Sequence, residues 1–134
     1  MIWSQNYKIG IPTIDAQHKR LFEIIGELQA AVQEGLKSSD FERILQTLDQ
    51  YKTRHFQLEE KYMVESGYPG LAEQQEAHHY FMKRFQVLEE ELAETGMTHS
   101  VVKAVKKELT EWLKDHVTGL DMEFGKYYQK HTHI

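Results

Sequence analysis

Four histidines and two acidic residues stand at spacings that can build a metal site. His55 and Glu59 are four residues apart, as are Gln74 and His78, so each pair shares one face of a helix. His116 and Asp121 are five apart, about 140° out of alignment on a helix of 3.6 residues per turn. Gly119, a poor helix former between them, eases the local unwinding that would bring both to one centre. His18 stands alone near the N-terminus. Imidazole and carboxylate donors without thiolate suit iron, manganese or zinc. Two carboxylates among several imidazoles suit bridging between two ions in a bundle core. The chain has no cysteine, which excludes disulfides, thiolate zinc sites and iron–sulfur clusters.

The elements that must position these residues follow from apolar periodicity. An N-terminal arm of a dozen residues, with Trp3 and Tyr7 as anchors, precedes a helix that Asp15 caps and that begins at Ala16. Leu21, Phe22, Ile25, Leu28 and Val32 recur along it every three or four residues. Gly35 and the Ser38–Ser39–Asp40 cluster end it and start a second helix, carrying Phe41, Ile44, Leu45, Leu48, Tyr51, Leu58 and Tyr62 as far as Gly67. After Pro69 a third carries Leu71, Phe81, Phe85, Leu88 and Leu92 to Gly96. A fourth starts near Ser100 with Val102, Val105, Leu109, Trp112 and Leu113, and runs past Phe124. Four amphipathic helices with short loops predict an all-α, antiparallel up-down-up-down bundle.

Extending each stripe along its own period puts an imidazole on every core face. His18 precedes Leu21 and Phe22; His55 and Glu59 continue Leu48 and Tyr51; Gln74 and His78 fall between Leu71 and Phe81; His116 follows Leu109 and Trp112. A single inward histidine is more often a satisfied core residue than a ligand. Four imidazoles and two carboxylates on four stripes are different, because burying them together costs several kcal/mol each, roughly, unless they are paired or bound to metal.

The remaining features bound the function. At 134 residues the chain is expected to be one domain, 1–134. No apolar run approaches a membrane span and no signal peptide is visible, so the expected location is the cytoplasm. Net charge −5 argues against a nucleic-acid partner. His99, in the Gly96–Ser100 loop, and His131 and His133, in the tail, are expected on the solvated surface, as are Glu89–Glu91 and Lys103–Glu108. Tyr127 and Tyr128 either pack the helix end or mediate self-association. The expected assembly is a monomer or weak homo-oligomer.

The pattern resembles the hemerythrin family in its stand-alone, single-domain form. The resemblance is carried by Trp3, Gly10, Ile14-Asp15-Ala16-Gln17-His18-Lys19, His55-Phe56-Gln57-Leu58-Glu59-Glu60, Met63, Tyr68-Pro69, His78 with Phe81, and Trp112-Leu113 ahead of His116 and Asp121. It implies a bundle that binds dioxygen reversibly, for storage, delivery or sensing, at two non-haem irons with an oxo or hydroxo bridge. Position by position, it implies that His18 and His55 ligate one iron, which keeps an open position for dioxygen. Glu59 and Asp121 would bridge the pair, and His78 and His116 would ligate the second iron. Phe56, Trp112, Leu113 and Val117 would form a dry apolar pocket over the open position, and no residue is assigned a catalytic role.

One position departs from the family pattern. Its third helix normally offers His-x-x-x-His, and the first of these is Gln74 here. Gln74 could coordinate through its amide oxygen, hydrogen-bond a water ligand or leave a vacancy. The loss falls on the second iron. It keeps two other readings in play: a di-iron redox enzyme acting on ferrous iron, peroxide or nitric oxide, and a metal-buffering bundle.

Overall fold

Proline at the first helical position fixes φ and gives up an N–H that would have no partner there, and Pro12 opens the first helix, α1 (Pro12–Gln33). The computed structural model describes residues 3–34 and 38–132; Gly35 and His133 lie outside the described residues. Helix α1 thus begins four residues before the expected start at Ala16. Asp15, expected as its cap, lies inside the first turn instead. Its carboxylate reaches back to the arm and accepts the N–H groups of Ile9 at 2.7 Å and Gly10 at 3.2 Å.

Helix α2 spans Ser38–Ser66 and α3 spans Leu71–Thr95. Gly67 and Gly96 stand just past their ends with φ of 66° and 73°, the left-handed conformation in which glycine pays no Cβ penalty. Residues 99–132 form the last helix, α4, whose start the Thr98 hydroxyl caps by accepting the Val101 N–H. His99 is therefore its exposed first residue rather than part of a loop.

Helix α4 is not uniform. Two stretches, Val105–Glu111 and Val117–Asp121, have π geometry, separated by the α-helical Trp112–His116 and followed by Met122–Thr132. In the first, the Thr110 hydroxyl donates to the Val105 carbonyl five residues back at 3.3 Å and accepts from Gln29 of α1 at 2.9 Å.

The four helices pack as the antiparallel bundle around two apolar clusters. The larger contains Phe22, Leu28, Phe41, Leu48, Phe85 and Leu109; the smaller contains Ile9, Ile11, Ile14, Met63 and Phe124. A fully buried side chain of this size contributes about 1.5–3 kcal/mol, so both clusters hold the bundle firmly. Between them lies a polar layer. His18 falls between Ile14 and Leu21 on α1, Glu59 between Phe56 and Met63 on α2, and Asp121 between Val117 and Phe124 on α4.

The arm closes over one side. Trp3 and Tyr7 meet the Phe22 ring edge-on at 5.5 and 5.2 Å. Gly125 of α4 lets the arm come close: a Cβ there would lie 2.2 Å from the Ile9 carbonyl oxygen. Tyr127 and Tyr128 pack the helix end, Tyr127 tilted against Tyr68 and Tyr128 edge-on to Tyr62, and the Tyr127 hydroxyl donates to the carbonyls of Ser66 and Gly67. His131 stacks on Tyr127 at 4.0 Å. No helix among the described residues is long and apolar enough to cross a membrane.

Candidate metal centre

All six expected histidine and acidic residues meet in the polar layer, and all six are buried. The helical stripes bring His18, His55, Glu59 and His78 inward with regular α geometry. Asp121 arrives by another route. The π turn Val117–Asp121 carries fewer degrees of rotation per residue than an α-helix, so residues five apart come onto one face. His116 Nε2 and Asp121 Oδ1 are consequently 3.1 Å apart.

The six fall into two overlapping groups, each with ligand atoms within 4.8 Å of one another: His18, His55, Glu59 and Asp121, then Glu59, His78, His116 and Asp121. Both carboxylates belong to both groups. Asp121 turns Oδ2 to His18 at 3.1 Å and Oδ1 to His116. Glu59 sets Oε2 at 3.3 Å from His18, and Oε1 at 3.4 Å from His55 and 3.1 Å from His78.

These short distances are not hydrogen bonds. The Nε2 atoms of all four imidazoles, both oxygens of Glu59 and Oδ2 of Asp121 are buried without a hydrogen-bond partner. Native interiors rarely leave buried polar atoms unpaired, and here they gather in two groups that share both carboxylates. Ligand atoms bound to one first-row ion at about 2.0–2.2 Å sit about 3 Å apart when cis, close to the spacing observed. The donor set therefore fits a pair of cations bridged by two carboxylates.

The family model described as Hemerythrin HHE cation binding domain matches residues 9–128. The chain belongs to the hemerythrin family. A bacteriohemerythrin of Stenotrophomonas maltophilia is 30% identical over 98% of this chain and 83% of its own length. One of Pseudomonas aeruginosa is 29% identical over 90% of this chain and 76% of its own. A myohemerythrin of Riftia pachyptila is 21% identical over 92% of this chain and 89% of its own.

Within this hemerythrin bundle, outer partners orient two of the imidazoles. His55 Nδ1 donates to Gln17 Oε1 at 2.8 Å, and His78 Nδ1 donates to Glu60 Oε2 at 2.8 Å. With Nδ1 protonated, each Nε2 lone pair is left facing the centre. Glu60 also accepts from Gln75 of α3 at 3.3 Å. Neither Gln17 nor Glu60 stands out in the sequence. Two signals could have found them: both lie within the runs that carry the family resemblance, and each adjoins an inward residue and is rotated about 100° toward a neighbouring helix.

Gln74 occupies the same layer and is fully buried. Its Nε2 donates to Asp121 Oδ1 at 3.1 Å, while its Oε1 has no partner. The neighbouring His79 is exposed. Of the four expected pocket residues, Phe56, Leu113 and Val117 are buried and Trp112 is half-buried. The two rings lie mainly on the second group. Phe56 stacks on His78 at 4.0 Å and Trp112 on His116 at 4.5 Å, with Phe56 also 5.9 Å from His55.

The electrostatics of the metal-free hemerythrin cluster show what it lacks. Burial opposes charging His18, yet Asp121 and Glu59 beside it outweigh burial and push its pKa up to about 10. His78 is raised too, because Glu59 overcomes the burial penalty. Burial dominates at His55 and lowers it. Glu59 sits well below the usual carboxylate range and Asp121 below its own, the imidazoles around them overcoming burial. Two ionised carboxylates thus draw positive charge into the layer, which a proton on His18 supplies in part and cations would supply in full.

Proposed function

We propose that this chain binds dioxygen reversibly at two non-haem irons held in the polar layer of the bundle. The observation that carries this reading is the sharing of Glu59 and Asp121 between two ligand groups. His18 and His55 hold the first iron, which has the fewer imidazole neighbours in the family pattern and keeps a position open. His78 and His116 hold the second, and Glu59 and Asp121 bridge. The iron pair, when bound, supplies the electrons that dioxygen takes up.

The rest is done by side chains of this chain. Gln17 and Glu60 fix the tautomers of His55 and His78, so the donor atoms need no reorganisation. Phe56, Leu113 and Val117 keep bulk solvent away from the layer, and Trp112 covers His116. A dry lining preserves a reversible adduct by denying it the protons that would release peroxide. In the surroundings of the pair no buried lysine or arginine stands ready as an acid; Lys52, the one buried lysine or arginine among the described residues, is engaged with Asp49 and lies over Phe85.

One observation favours a second reading, a di-iron redox enzyme: Gln74, in the layer, gives its amide N–H to Asp121 and leaves the second iron with one imidazole fewer. Metal analysis with absorption spectra under air and after anaerobic reduction tests the first reading. Two irons per chain and a spectrum that cycles with oxygen support it. Two irons with no reversible change, and turnover of peroxide or nitric oxide, would replace it with the second.

A further inference from the structure

The Gln74 side chain has two ends in different situations. The donor end is fixed: Nε2 gives its proton to Asp121 Oδ1 at 3.1 Å, the same oxygen that lies 3.1 Å from His116 Nε2. A planar amide holds its oxygen on the opposite side from its nitrogen, so this bond turns Oε1 away from Asp121. Oε1 is buried and accepts nothing. Gln74 lies one turn before His78 on the same face of α3, and His78 Nε2 belongs to the second group.

A neutral amide oxygen is a poorer ligand for ferrous iron than imidazole, and the Asp121 bond fixes this amide by its other end. What Oε1 lacks is a hydrogen-bond donor. Among the described residues none reaches it, and a metal-bound ligand that carries a proton would complete it without disturbing the Asp121 bond.

We propose that Gln74 reserves an exchangeable coordination position on the second metal, held for a small protic oxygen ligand such as water, hydroxide or hydrogen peroxide. This rests on the dinuclear reading above and deepens it: the pair has two open positions, one on each ion, instead of one. Nε2 anchors the bridging carboxylate while Oε1 accepts the proton of the exchangeable ligand. A histidine in this place would fill the position and leave Asp121 without the N–H.

Azide titration of the iron-loaded, oxidised protein tests this, followed by absorption and calorimetry, with iron per chain measured first. Wild type is expected to hold two irons and take up two azides, the second more weakly by tenfold or more. Gln74→His is expected to hold two irons and take up one. Gln74→Leu, close in volume but lacking the acceptor, keeps two azides and binds the second several-fold more tightly, because no held water has to leave. Two irons with a single azide in wild type overturn the proposal even if Gln74→His fails to fold. Fewer than two irons at full loading overturn the dinuclear reading itself, a failure the metal count distinguishes from the first.

Discussion

Glu59 and Glu60 are adjacent in sequence, yet the helix sends one into the centre and the other to its edge. Glu59 faces His18, His55 and His78, so Glu59→Ala removes a group shared by both metals and is expected to abolish iron retention. Of the four imidazoles Glu60 meets only His78, through the far ring nitrogen. Removing such an outer partner costs about 10–100-fold in metal affinity, so Glu60→Ala should keep the first iron and lose the second preferentially to a chelator. Equal metal retention in the two variants would show that the helix phase, with Glu59 inward and Glu60 at the edge, is wrong. Leu113 tests the lining instead. It is buried beside Trp112 and three residues before His116. Leu113→Ala should cost about 2–5 kcal/mol of stability and hasten the passage of the oxygenated protein to its ferric form. An unchanged lifetime in stopped-flow absorption would remove Leu113 from the pocket. Of these roles, the inward positions were legible from periodicity alone, because each stripe carries its polar member with it. Gln17, Glu60 and the hold of Gln74 on Asp121 were not, since they depend on distances between helices that no single stripe encodes.

At the scale of elements, the last helix decides the site. The five-residue spacing of His116 and Asp121 conflicts with an α-helix, and that conflict is visible in sequence; its resolution as a π turn at Val117–Asp121 needs the backbone. The first helix shows the opposite case. Sequence puts its start at Ala16 because Asp15 looks like a cap, whereas the helix opens at Pro12 and the Asp15 carboxylate is committed to the arm six residues back. A π turn behaves as one extra residue in an α-helix. Deleting Gly119, where an added Cβ would meet nothing within 4 Å, should therefore return the turn to α geometry. His116 and Asp121 would then stand four apart, still on one face, and the Phe124 and Gly125 contacts beyond would keep their places. Inserting one alanine after Gly119 should instead swing Asp121 about 100° away. We expect the deletion to retain two irons with a melting temperature near wild type, and the insertion to lose them. Loss of iron in both variants would mean that the π geometry itself, beyond the register it sets, is required.

For the whole molecule, folding and metal binding pull on the same protons. In the metal-free protein His18 is raised to about 10 from an unfolded value of 6.5, so the stability it contributes is fully present below 6.5 and is lost as pH climbs toward 10. Glu59 and Asp121 are lowered, so their contribution is present above their unfolded values of 4.5 and 3.8 and is lost as pH falls. His55, lowered by burial, resists protonation and erodes stability below 6.5. The stripped protein should thus be most stable in mildly acidic solution and weaken on the alkaline side. Metal reverses that trend. Binding to Nε2 of His18 must displace its proton, so affinity rises with pH over the interval in which the free fold weakens. A ligand that binds only the folded state adds stability in proportion to the logarithm of its affinity. The difference in melting temperature between loaded and chelator-stripped protein should therefore widen steadily from about pH 6 to about pH 9. Anaerobic thermal melts with ferrous iron and with excess chelator, run across that range, measure it directly. A gap that stays flat would mean that His18 carries no proton in the metal-free fold, and that the two carboxylates draw their positive charge from another source.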